Sequence, residues 1–228
     1  MNGSALRESR KRRGLTQVEA AKRLGVSQTY LSLLENGRRD LTEEVARRAV
    51  SKLDVSPTAL PFEGKLKQVK AATNAGFARD LASLRYPGLS QMRSAKKRNP
   101  AAALLSALRA EDLERRLVEA LPWMLLNFSD LQWDELVDAA KVNDLQNRLG
   151  FLTALARQLA ARQKDREKES MFARREEELL PSKLAREDTL CRESMTESER
   201  KWLRRNRPPE AKRWNVLSDL KVEHLTYA

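Results

Sequence analysis

The sequence predicts an all-α protein, on three observations. Ala, Leu, Arg and Glu dominate the chain, residue types that give up little freedom in a helix. Apolar residues recur at helical spacing through most of its 228 positions. No run of alternating β-branched or aromatic residues is long enough to form a strand. Hydrophobic residues, at 41%, suffice for real cores, while 33% charged residues imply extensive solvated helix surface.

Residues 4–60 carry short helical patterns punctuated by Gly14, Gly25, Gly37 and Pro57. The densest is LTQVEAAKRLGVSQTYLSLLENGRR, residues 15–39. Thr16 is a good N-cap, and Glu19 three residues later completes a capping box. The helix that follows runs to about Leu24, and Gly25 takes the left-handed turn at little steric cost. Ser27 caps the next helix, which Asn36-Gly37 ends. Ala20, Leu24, Val26, Leu31 and Leu34 point inward, and the small Ala21 lets the two helices approach closely. The second helix is left with a polar outer face at its N-terminal end. A basic first helix with Arg7, Arg10, Lys11, Arg12 and Arg13 precedes the pair, and a fourth helix is expected near 42–53.

Residues 63–100 read as a basic linker, its many Lys and Arg opposed only by Glu63 and Asp80. One short helix is expected near 75–85, stopped by Pro87-Gly88. Residues 101–180 read as a helical dimerisation or partner-binding domain. There Leu104, Leu105, Leu108, Leu113, Leu117 and Leu121 recur before Pro122 interrupts, and a broad apolar face extends over 133–162. Trp123, Phe128, Trp133 and Phe151 supply bulk for a core. The mixed charges of 163–178 predict an exposed helix. Residues 181–228 form a partly helical tail ending WNVLSDLKVEHLTYA, apolar enough to dock.

A formal net charge of +12 favours polyanionic partners, nucleic acid first. Catalysis has little to work with. Cys191 and His224 are single, without ligands at metal spacing, and no nucleophile elbow, metalloprotease motif, phosphate loop or dinucleotide fingerprint is present. A non-enzyme without metal or cofactor is expected. With no apolar signal core and no stretch near the ~18 apolar residues of a spanning helix, a cytoplasmic, nucleoid-associated protein with no membrane partner is expected.

Residues 15–39 resemble the helix-turn-helix of lambda and 434 repressor and Cro type, the XRE family. The resemblance lies in the Thr16-Gln17 opening, Ala21, the Gly25-Val26-Ser27 turn, Leu31 and Glu35-Asn36-Gly37. It implies a lambda-repressor-like bundle of four or five helices whose third helix enters the major groove. It also implies site residues. Gln28 matches the position that bonds a base edge, with Thr29 and Ser32 as further base-contacting candidates. Gln17 matches the position that touches phosphate and props the recognition glutamine. Lys22, Arg38 and Arg39 are phosphate-contacting candidates, whereas the cations of residues 10–13 read as a charged helix end outside the site.

A sequence-specific regulator is therefore expected, a repressor binding a palindromic double-stranded DNA operator as a homodimer. The region PWMLLNFSDLQWDELVDAAKVNDLQNRLGFLTALARQLA is similar to C-terminal regions of XRE-type regulators that accompany nucleotidyltransferase-like toxins. That resemblance implies an alternative: an antitoxin that binds a toxin through its C-terminal region and autoregulates its operon. Nonspecific architectural binding fits less well, because the recognition helix is polar rather than merely cationic.

Overall fold

Hydroxyl caps set the pace of the first part of the chain. In the computed structural model, which describes residues 3–61, 68–92, 97–225 and 227, α1 (Gly3–Arg12) is followed by α2 (Gln17–Leu24), α3 (Gln28–Glu35) and α4 (Glu43–Lys52). Thr16, Ser27 and Thr42 cap the last three, each accepting a backbone N–H of the first turn. Thr16 and Glu19 form the full capping box. Gly25 ends α2 at φ 67°, and a Cβ there would lie 2.7 Å from Nη1 of Arg48, which donates to the Leu24 carbonyl at 2.8 Å. A short 3-10 turn, Pro57–Ala59, closes the unit. Leu6, Ala20, Leu24, Leu31, Leu34, Ala49 and Leu53 meet in its core, with Val26 and Tyr30 packed at the edge. The chain divides into two units, Met1–Phe62 and Glu63–Ala228.

The second unit is also helical: α5 (Asn74–Ser83), α6 (Pro100–Leu108), α7 (Arg115–Val118), α8 (Leu121–Asn127), α9 (Trp133–Val142), α10 (Gln146–Arg162), α11 (Arg166–Leu179), α12 (Glu197–Asn206) and α13 (Pro209–Arg213). Two strands of two residues, β1 (Asp188–Thr189) and β2 (Val216–Leu217), pair in parallel. Among the described residues the chain is thus all-α apart from this ribbon and an isolated bridge, Asp112–Arg192.

α10 is the hub. Leu149, Phe151, Leu152, Leu155 and Leu159 are buried around its circumference, as expected of a helix enclosed by protein. At its start Asn147 donates to the Leu184 carbonyl at 3.1 Å and accepts the Leu184 N–H at 2.8 Å. Arg148 binds Asp188 at 2.9 Å, Glu193 at 2.6 Å and the Leu108 carbonyl at 2.8 Å. One guanidinium thereby ties α10 to the end of α6 and to the β1 segment. Cys191 lies buried beside it, its Sγ 3.2 Å from the Ala107 carbonyl. Burial pushes that thiol up to about 12, against the pull of Arg148.

Several elements differ from the sequence expectation. In the stretch read as linker, residues 63–67 and 93–96 lie outside the described residues. The rest is tied in: Val69, Phe77, Leu81, Leu84, Tyr86 and Leu89 are buried. The Ser106 hydroxyl donates to the Lys70 carbonyl at 2.7 Å, and Tyr86 stacks edgewise on Trp123 at 5.1 Å. These buried apolar residues, with the Arg98–Asp80 ion pair at 3.0 Å, fix a segment whose other cations are largely exposed. Pro122 does not interrupt a helix but stands in the first turn of α8, where its missing N–H costs nothing. The face over 133–162 belongs to two helices, parted at Asp144, which takes φ 58°. The helix expected to be exposed over 163–178 is only partly so: Phe172 and Glu176 are buried, as is Leu179 at its end. The tail docks within its own unit: Trp214, Val216, Leu217 and Val222 are buried, and Trp214 donates to the Glu176 carboxylate at 3.3 Å.

Among the described residues no helix is long and apolar enough to cross a membrane, and no group of three His, Cys, Asp or Glu is placed to hold a metal. A cavity of about 510 Å³ lies between α7 and the segment leading to α12. Its charged rim is internally paired, Arg115 with Asp219 at 3.2 Å and Asp112 with Ser194 at 2.7 Å.

Gly150 is where the tail and the hub meet most closely. A Cβ on this helix-interior glycine would fall 2.4 Å from the Trp214 ring. Gly150→Ala is therefore expected to destabilise the protein by about 1–3 kcal/mol, against the helix propensity that ordinarily favours Ala. Urea denaturation of the two proteins checks the sign.

Candidate nucleic-acid interface

α2 and α3 are both eight residues long, and Gly25 turns the chain between them. Their apolar sides face Leu6 and α4, so the polar residues at the start of α3 are left at the surface. Gln28 and Thr29 are exposed there, and Ser32 one turn on is half-buried. Gln17 starts α2 half-buried beside them. Lys22 is exposed in the last turn of α2. Arg38 and Arg39 are exposed after α3, with the Arg39 guanidinium 5.8 Å from the Tyr30 ring centroid. Tyr30 itself packs against the core.

Beneath this surface runs a chain of hydrogen bonds that starts from a buried charge. The Glu35 side chain is fully buried and Arg10 is 11% exposed. Arg10 grips Glu35 with both ends of its fork, Nε to Oε1 at 2.6 Å and Nη2 to Oε2 at 2.9 Å. Its remaining Nη1 donates to the Leu15 carbonyl at 2.9 Å, anchoring the turn before α2. Glu35 also accepts from Gln17 Nε2 at 3.0 Å, and Gln17 Oε1 accepts from Gln28 Nε2 at 2.8 Å. Arg7 stands 3.8 Å from Glu35 and donates to Asn36 at 3.2 Å. Asn36 in turn donates to the Ser32 carbonyl at 2.8 Å.

The direction of this chain follows from chemistry. An ionised carboxylate only accepts, so Gln17 must turn its NH2 toward Glu35 and its oxygen toward Gln28. Gln28 must then offer an N–H to Gln17, which frees its carbonyl oxygen and its second N–H. One amide is left presenting an acceptor and a donor, the pair that an adenine edge matches. Ionisation of Glu35 is secured by its surroundings. Burial alone would raise its carboxyl, but hydrogen bonds from Arg10 and Gln17, with the charges of Arg10 and Arg7, hold it below its ordinary value.

The sequence reading brought Gln28, Thr29, Ser32 and Gln17 to one surface, where the structure also places them. It left out Arg10, whose guanidinium turns inward, unlike the exposed Lys11, Arg12 and Arg13. The available signal was phase: Arg10 follows Leu6 by four positions, on the buried face of α1. Val18, out of phase with the buried Ala20, Ala21 and Leu24, is 66% exposed beside Gln17.

A family model described as helix-turn-helix matches residues 6–60. The chain is also similar to the "ImmF control region 10 kDa protein" of Bacillus phage phi105, 30% identical over 87 residues that make up 38% of this chain and 92% of the relative. No solved structure matches.

Glu35→Gln removes the charge and leaves Arg10 buried without its counterion. A loss of about 3–5 kcal/mol at neutral pH is expected in chemical denaturation. Because the folded carboxyl titrates below its ordinary 4.5, the unfolded chain takes up the proton first. Wild-type stability from this pair is therefore present above that value and lost as pH falls through the folded one. The gap between wild type and Glu35→Gln should narrow over the same acid range; a constant gap down to full protonation would show that the charge is not what holds the pair.

Proposed function

The chain belongs to the XRE-type helix-turn-helix family and is a DNA-binding transcriptional regulator; from that premise we propose that it is a repressor whose α3 reads an operator in the major groove. Gln28 faces a base edge, and Thr29 and Ser32 lie on the same side of α3 for neighbouring bases. Gln17, Lys22, Arg38 and Arg39 take phosphates, and the first-turn N–H groups of α2 and α3 add to the attraction for anions. Exposed Val18 suits a sugar or a thymine methyl. A single unit of this size spans few base pairs, so two copies on a palindromic operator are the natural arrangement.

One observation carries this reading above the others. Gln28 is exposed, yet its amide is held by a chain that ends in a buried ion pair. A surface glutamine with no task has no need of such support, whereas a side chain that must meet a base in one orientation gains affinity from being ordered beforehand.

The test is a titration of the full chain on the DNA upstream of its own gene and on scrambled DNA, with Gln28→Ala alongside. Wild type is expected to prefer the upstream sequence by ~10³-fold or more, and Gln28→Ala to lose about 1–3 kcal/mol on that sequence only. Equal binding of both DNAs by both proteins would remove Gln28 from the recognition surface.

A further inference from the structure

The second unit carries a surface that the helix-turn-helix does not account for. On α12 the residues Ser198, Lys201, Trp202 and Arg205 fall at i, i+3, i+4 and i+7, a single stripe along the helix, and all four are exposed. Trp202 is 56% exposed, whereas Trp123, Trp133 and Trp214 are buried. The opposite side of α12 is fastened down. Leu203 packs with Met195 and Leu217. Arg200 donates to the Glu193 carbonyl at 2.9 Å, and Arg204 binds Glu187 at 2.8 Å and Glu197 at 3.0 Å. Glu199 caps the helix through Thr196 and pairs with Arg192 at 2.5 Å.

The helix thus sorts its charges. Its carboxylates are paired, while the side chains of Lys201 and Arg205 make no ion pair or hydrogen bond among the described residues and flank the exposed indole. The stripe offers an ammonium, a guanidinium, a hydroxyl and an indole N–H, and no carboxylate. Donors and positive charge without an acceptor fit a partner that is anionic and rich in acceptors. For a chain of net charge +12 in a DNA-binding family, duplex DNA is the polyanion at hand.

We propose that the Ser198–Lys201–Trp202–Arg205 face of α12 is a second, sequence-independent contact with the DNA phosphate backbone. The proposal rests on the DNA-binding reading above but not on the role of Gln28. Lys201 and Arg205 neutralise phosphates, and Trp202 lies against the backbone with its N–H directed to a phosphate oxygen. The contact adds affinity to every sequence alike and leaves discrimination to α3.

The experiment uses the full chain and random-sequence duplex across a salt series, comparing wild type with Lys201→Gln/Arg205→Gln. Arg162→Gln/Arg186→Gln is the charge-matched control, since those two arginines are paired elsewhere, with Glu223 and Asp144. The first variant is expected to flatten the slope of log affinity against log salt by about 1.8, with the preference for upstream over random DNA unchanged. The control should leave the slope near that of wild type. Tryptophan emission should shift when duplex is added to wild type and not when it is added to Trp202→Phe. An unchanged slope in the first variant overturns the proposal. So does an equal change in the control, which would assign the effect to net charge. A stripe-dependent emission shift on phosphatidylserine vesicles, with the DNA slope unchanged, would give the face to membrane instead. Wild type that bound no duplex would overturn the DNA-binding reading itself, a result legible from the wild-type titration alone.

Discussion

The ion pair between Arg10 and Glu35 is the constraint on which the first unit turns. A carboxylate with no exposed surface is costly to hold, and only a counterion with good geometry and further hydrogen bonds makes it tolerable. Both ends of the Arg10 fork are committed to it, and the third donor fixes the turn before α2. α1, the α1–α2 turn that follows it and the distant end of α3 are thereby held by one guanidinium. The same carboxylate has a lone pair left for Gln17, and through Gln17 it governs Gln28. Stability and presentation of the surface share an origin.

The second unit repeats the device with different parts. Arg148 is nearly buried at the start of the central helix, and its donors gather the end of α6, Asp188 and Glu193. In each unit one buried or nearly buried arginine adds a polar tie to the apolar contacts that join distant segments. On α10 the absent side chain of Gly150 lets the indole of Trp214 come closer than any Cβ would allow.

What the sequence made legible was local. Thr16, Glu19, Gly25 and Ser27 act within a turn of where they stand, so capping and chirality alone place α2 and α3 to within a residue. Gln28, Thr29 and Ser32 came as candidates from the resemblance, and the polar outer face of α3 agrees with their exposed or half-buried positions. What escaped was non-local. The phase of Arg10 after Leu6 marks it as inward-facing, but its partner Glu35, twenty-five positions on, shows only in the fold. The segment after residue 67 reads as linker because its many Lys and Arg are scarcely opposed by carboxylates, which obscures the helical spacing of Phe77, Leu81 and Leu84 that packing buries. Pro122 is ambiguous too: a proline marks a helix start as readily as a stop, and the choice depends on the turn that precedes it.

The one-way hydrogen-bond chain from Glu35 to Gln28 also bears on how such a protein changes over evolutionary time. A fully buried residue dictates which way the outermost amide faces. Under the proposed reading of DNA by Gln28, new binding preferences are open by two routes: replacing Gln28, or rewriting the buried end so that the same residue offers its groups in reverse. The second route is narrow, since the carboxylate that sets the polarity also holds the helices together. Drift is steered toward the exposed end, where a change alters the message and spares the messenger.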